Sequence, residues 1–318
     1  MKRTITMLAK AEQYLEFRRG LGYQLKIEGQ QLQQFGRFAD ASGHRGPLTI
    51  ELALRWAQSA EGCDRLYWAR RLEIVRCFAR HLAVTEPGTQ VPGRQLLGPA
   101  HRRTTPHIYT SRELADLLGA ACRLSSRHGV RPQTYVTLIG LLACSGLRIS
   151  EALRLASPDV DLARGVLRIR ETKFRKSRLV PLHPTAVVAL QTYVANRTRI
   201  LGISKTDRFF LSDQGKELPY STVRHTFRRL CASVGITGAP RKHPCLHDLR
   251  HSFACRCVER WYRAGTDLDH AISALAVYLG HANVTDTYWY LTATPDLMAL
   301  AANRFESFVR KENKEEAN

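Results

Sequence analysis

Residues 86–108, "EPGTQVPGRQLLGPAHRRTTPHI", alternate proline and glycine with polar residues and show no sustained apolar period. Proline removes a backbone donor and glycine adds conformational freedom, so neither a long helix nor a ladder strand passes through such a stretch. The 318-residue chain is therefore expected to fold as two units. We place a first unit at 1–88, a linker at 89–108 and a second unit at 109–318, each of the two units long enough to bury its own core.

The first unit reads as a small basic helical bundle. Helices are expected near 6–19, ending at the glycines of "RRGLGY", near 26–41 with Leu32, Phe35 and Phe38 at three-residue steps, after Thr49, and over 64–84. The second unit opens with "TSRE", a capping box at Thr110 or Ser111 with Glu113, heading a helix to about 126. An apolar helix near 132–145, a turn at Gly146 and the short helix "RISEALRL" follow. "GVLRIRETKFRKSRLVPL" (165–182) has two β-branched runs around a charged hairpin. Further expectations are a helix near 184–198, a short strand "DRFFLS", and helices near 220–234, 246–263, 267–279, 285–292 and 295–311. The fold class is mainly α with a small antiparallel β-sheet.

With 48 Lys+Arg against 28 Asp+Glu the formal net charge is +20, distributed along the whole chain, which favours a polyanionic partner and above all nucleic acid. The first residues lack a signal-peptide apolar region, and no apolar run approaches the ~18 residues of a membrane span. A cytoplasmic, nucleoid-associated protein without membrane contact is the expectation. The eight cysteines form no CxxC pair and read as reduced thiols.

Five segments carry residues suited to chemistry. In "SGLRISEAL" (145–153) a glycine turn delivers Arg148 to a helix start, with Glu151 one turn on. The hairpin "ETKFRKSR" offers Lys173, Arg175, Lys176 and Arg178, which local pattern does not rank; contact with a phosphate backbone suits them all. "HDLRHSFA" (247–254) places His247 and Arg250 one turn apart. His247 and His251 imitate a zinc face, but Arg250 puts a fixed cation between them and no four-ligand spacing emerges, so no metal is expected. "LGH" ends in His281, and "DTYWYLT" (286–292) holds Tyr288 and Tyr290, which on a helix lie about 200° apart and so cannot address one site together. Two arginines, two histidines, a lysine and a terminal tyrosine make a charge-neutralising pocket for one phosphodiester.

In this combination the chain resembles the tyrosine recombinase (phage integrase) family across about residues 108–310, with motifs in the family's order. The resemblance implies an N-terminal core-binding domain, a catalytic domain, and the two closing as a clamp on duplex DNA. "SGLRISEAL" is similar to the segment bearing the first catalytic arginine, here Arg148, with the accompanying acid at Glu151. The register of "LVPL" selects Lys173, leaving Arg175, Lys176 and Arg178 as DNA-backbone candidates. "HDLRH" gives His247 and Arg250, and "LGH" gives His281. The family's nucleophile lies nine residues beyond that histidine, which selects Tyr290. The interval from Arg250 to His281 is longer than is common in the family by roughly two helical turns, as in integrases of some bacterial mobile elements.

The implied activity is site-specific cleavage and rejoining of double-stranded DNA through a 3′-phosphotyrosyl intermediate, with no cofactor, for integration or transposition of a mobile element. Implied partners are a tetramer of the chain on two DNA sites and accessory recombinases or DNA-bending proteins. The amphipathic segment after Tyr290 suits docking on a neighbouring protomer or packing on its own domain. A type IB topoisomerase would share the chemistry, and a non-catalytic DNA-binding regulator would share the scaffold while losing a pocket position. The register makes Tyr290→Phe abolish covalent trapping on a nicked suicide DNA substrate while Tyr288→Phe preserves it; gel detection of the trapped complex distinguishes the two, and the reverse pattern would sink the assignment.

Overall fold

The computed structural model describes residues 5–101, 105–170, 177–203, 205–238, 243–281 and 283–288, with Ala299, Ala302 and Glu306. The chain divides into two compact units, residues 1–103 and 104–318. The first holds α1 (Met7–Gly20), α2 (Lys26–Ala41), α3 (Ile50–Gln58) and α4 (Arg65–Thr85). Thr6, Thr49 and Asp64 cap α1, α3 and α4 by accepting from backbone N–H groups three residues on, which fixes where each helix begins. Leu15, Leu32, Phe35, Trp56, Val75 and Phe78 form its core, with Phe35 edge-on to Trp56 at 5.4 Å between centroids.

The approach of α1 to α2 depends on Gly36, where a Cβ would lie 2.6 Å from the Leu8 Cα. One turn later Asp40 accepts from the backbone N–H groups of Met7 and Leu8, so a side chain of α2 caps the start of α1. The stretch expected to be a linker is largely strapped to this bundle. The Gln90 N–H bonds the Leu48 carbonyl, Leu97 packs on the core, Arg70 donates to the Ala100 carbonyl, and His101 pairs with Glu73. Polar backbone in a loop must find partners, and the bundle edge supplies them.

The second unit contains α5 (Ser111–Cys122), α6 (Val130–Ser145), α7 (Ile149–Arg154), a 3₁₀ turn at Ser157–Asp159, β1 (Val160–Asp161), β2 (Val166–Ile169), β3 (Arg178–Pro181), α8 (Pro184–Leu201), α9 (Tyr220–Ser233), α10 (Leu246–Ala264), α11 (Leu268–Leu279) and α12 (Thr285–Tyr288). The capping box heads α5 as expected: Thr110 accepts from the Glu113 N–H while the Glu113 carboxylate accepts from the Thr110 N–H. The sheet is antiparallel in the order β1-β2-β3, with Leu167 opposite both Val160 and Val180. Leu167, Ile169 and Val180 face the core while Arg168 and Leu179 point out, the period-two pattern of a half-buried sheet.

Two expectations differ. "DRFFLS" is not a sheet strand: Phe209 and Phe210 are both buried, which a regular strand covering one face does not allow, and only isolated bridges at Arg208 and Leu211 form. The sheet instead takes its first strand from Val160–Asp161. Of the helix expected over 285–292, Thr285–Tyr288 is described; the rest, and most of 295–311, lie outside the described residues.

Asp213, in the loop after Leu211, anchors the start of α6. Its carboxylate accepts from the Ser126 hydroxyl and from the N–H groups of Arg127, His128, Val130 and Arg131. Burial raises its pKa, but these donors outweigh it and hold the group down at about 2, against an ordinary 3.8. A depressed carboxylate stabilises the fold above its unfolded pKa, and the contribution is lost as pH falls through the folded value. Asp213→Asn should therefore lower unfolding free energy by about 1–2 kcal/mol at neutral pH, with the difference from wild type shrinking between pH 4 and 2 in denaturant melts.

Candidate active site

Helix α6 stops at Gly146, whose φ is +62°. A Cβ there would lie 2.5 Å from the Phe253 ring and 2.9 Å from a Leu279 methyl, so glycine is required both for the turn and for the space. The turn leaves Arg148 at the N-cap of α7. Its N–H donates to Glu151 Oε2 at 2.9 Å, Nη1 donates to Glu151 Oε1 at 2.9 Å, and Nη2 reaches the Gly280 carbonyl at 3.1 Å.

Glu151 also takes a second guanidinium. Arg178 at the start of β3 donates Nη1 to Oε1 at 3.0 Å and Nη2 to Oε2 at 2.9 Å, a bidentate fork, while its Nε donates to the Tyr278 carbonyl at 2.8 Å. Burial pushes the Glu151 pKa up, but the hydrogen bonds and charge of Arg178, followed by those of Arg148, outweigh it and hold the carboxyl at about 2. The basic hairpin segment makes Arg178 an expected DNA-backbone contact. The structure turns it inward instead, because a neighbour distant in sequence, Glu151, is a stronger partner than water for a planar fork.

Arg250 is the third guanidinium. It is 1% exposed on α10 and donates Nη1 to the Gly146 carbonyl at 2.8 Å and Nη2 to the Leu279 carbonyl at 2.7 Å. The carbonyls of Tyr278, Leu279 and Gly280 thus receive Arg178, Arg250 and Arg148 in turn. These belong to the C-terminal end of α11, where carbonyls lack helical partners and the dipole is negative. Gly280, at φ +69°, closes the helix, and a Cβ there would meet the Arg178 guanidinium at 2.9 Å. Three cations against one carboxylate leave a net charge of +2 in this cluster, suited to a phosphodiester and its developing charge.

His281 follows directly, half-buried, with Nδ1 2.7 Å from the hydroxyl of fully buried Thr287. Thr287 is a threonine in a short helix, and nothing in the sequence pattern distinguishes it as a functional residue. His247 lies on an exposed position of α10, its ring edge-on to His251 at 4.8 Å. Among the described residues no group of three His, Cys, Asp or Glu is placed to hold a metal ion. Likewise no described helix is long and apolar enough to cross a membrane. Lys173, Arg175, Lys176 and Tyr290 lie outside the described residues; Tyr288 is described and exposed.

The phage integrase family model matches residues 108–296. An inferred integrase/recombinase of Sinorhizobium fredii, y4rB, is 40% identical over 95% of this chain and 97% of its own. The tyrosine recombinase XerD of Caulobacter vibrioides is 31% identical over 84% of both chains. Among solved structures, the integrase of transposon Tn1549 in complex with transposon right end DNA shares the fold at a TM-score of 0.69 and 18% identity, covering 96% of this chain and 99% of that one. The chain belongs to the phage integrase family, the tyrosine recombinases. It is a site-specific DNA recombinase, an enzyme that breaks and rejoins DNA strands.

The Thr287 hydroxyl, 2.7 Å from His281 Nδ1, makes a short hydrogen bond that helps to orient the His281 ring. Thr287→Val, which keeps the shape and removes the hydroxyl, should slow single-turnover strand cleavage about tenfold with DNA affinity unchanged, and Thr287→Ser should restore it. Wild-type cleavage by the valine variant would show that the bond does not orient the histidine for the reaction.

Proposed function

We propose that Tyr290 attacks the scissile phosphate in line, forming a 3′-phosphotyrosyl bond and releasing a 5′-hydroxyl. The observation that carries this reading is the gathering of Arg148, Arg178 and Arg250 at the end of α11, directly before His281. A tyrosine hydroxyl with a pKa near 10 is a poor nucleophile at neutral pH, and a cationic pocket favours its anion and the charge of the transition state. Arg148 and Arg250 hold the non-bridging oxygens, each contact contributing a factor of about 10² to 10³. His247 assists proton transfer at the tyrosine, and His281 hydrogen-bonds a phosphate oxygen. Lys173 protonates the leaving 5′-oxygen, and Glu151 orients Arg148 from behind.

The covalent link conserves the energy of the phosphodiester, so rejoining needs no energy source. Attack by a 5′-hydroxyl from a second duplex yields strand exchange. We place four protomers on two double-stranded DNA sites, with the segment after Tyr290 docking on a neighbour, and accessory recombinases or DNA-bending proteins arranging the sites. The similarity to an inferred integrase/recombinase over nearly the whole chain supports a mobile-element role acting on DNA of the bacterial nucleoid.

Lys173 is tested with a substrate whose leaving oxygen is replaced by a 5′-bridging sulfur, which departs without a proton. Lys173→Ala should cleave the ordinary phosphodiester about 10² to 10⁴ times more slowly and recover on the sulfur substrate. An equal defect on both substrates rules out the general-acid role.

A further inference from the structure

Glu151 is 1% exposed on its side chain and bonded to Arg148, the residue read above as gripping the scissile phosphate. Taken as a pair, the two would be neutral, and a permanent anion 2.9 Å from the guanidinium would cancel much of its pull on a phosphate. Arg178 changes this balance. Its fork covers both carboxylate oxygens, and its Nε is tied to the Tyr278 carbonyl. The Arg178 side chain is 12% exposed against 26% for Arg148, so Arg148 is the member of the cluster presented outward.

We propose that Arg178 is a positioning residue for strand cleavage: by taking up the carboxylate of Glu151 it leaves Arg148 with its positive charge directed at the scissile phosphate. The idea rests on the reading of Arg148 as a phosphate contact. Arg148, Glu151 and Arg178 together carry +1; without Arg178 they carry none. A lysine keeps the charge but not the two-pronged geometry, so it restores the function in part. The held carboxylate is a charged one, in keeping with its pKa of about 2, so the balance is present at neutral pH.

A charge cycle in the full chain tests this by single-turnover cleavage of a nicked suicide DNA duplex, with duplex affinity and melting temperature measured alongside. Arg178→Gln should lower cleavage about 10²-fold with affinity changed less than about threefold, since the loss falls on the transition state. Adding Glu151→Gln removes the anion that Arg178 offset and returns the net charge to +1, so the double variant should recover at least about tenfold. Arg178→Lys should fall between wild type and Arg178→Gln. A double variant as slow as Arg178→Gln, or an Arg178→Gln variant at the wild-type rate, overturns the proposal. Where Arg178→Gln does not fold, the double variant decides alone: cleavage within about tenfold of wild type supports the charge role, and a loss beyond about 10²-fold overturns it. Arg148→Ala separates the two readings, because wild-type cleavage by that variant defeats the assignment of Arg148 itself, whereas loss of cleavage leaves Arg178 to be judged on the cycle.

Discussion

The second unit turns on the unpaired carbonyls at the end of α11. A helix C-terminus leaves acceptors without donors and carries partial negative charge. Here three successive carbonyls, those of Tyr278, Leu279 and Gly280, are satisfied by guanidinium groups from β3, α10 and the α7 N-terminus. Buried arginines ordinarily cost several kcal/mol unless their donors are met. The helix end meets them, and in doing so it fixes three cations from separate parts of the chain around one point, with His281 as the next residue.

Glycine makes this convergence possible twice. At Gly146 a side chain would overlap Phe253 and Leu279, and at Gly280 it would overlap Arg178. Both have positive φ, so each position selects glycine for conformation and for space. The Gly146 carbonyl then becomes an acceptor for Arg250, which links the end of α6 to α10. Asp213 plays the matching part at the other end of α6, meeting its free N–H groups from a loop more than eighty residues away. The helix that leads into the Arg148 turn is thus held at both termini by non-local polar groups.

Much of this was legible in the chain. The helices followed from apolar periodicity and caps, with Thr110 and Glu113 closing the box that their spacing suggests. The antiparallel pairing of β2 with β3 followed from two β-branched runs. "SGLRISEAL" marked Arg148 and Glu151 as neighbours because a three-residue step on a helix brings side chains together. The fate of "DRFFLS" was not legible: two adjacent phenylalanines fit a strand by propensity, yet both are buried in an irregular loop because the surrounding helices offer apolar cover on two sides. The proline- and glycine-rich stretch was legible as non-helical, while its attachment to the first bundle through Gln90, Leu97 and His101 was not.

By itself the sequence determined the helical character, the division into two units, the positive charge and the kinds of side chain available for phosphate chemistry, because these depend on local spacing and composition. Tertiary structure alone decided what each charged group faces. Arg178 sits in a basic hairpin whose pattern is the same whether its residues meet DNA or protein. Its orientation was settled by a carboxylate 27 residues earlier in the chain and a carbonyl 100 residues later. Thr287 is likewise an ordinary threonine until the fold brings His281 to it. Local propensity carries no information about such partners, since their energies arise only when the core has closed and water has left the pair.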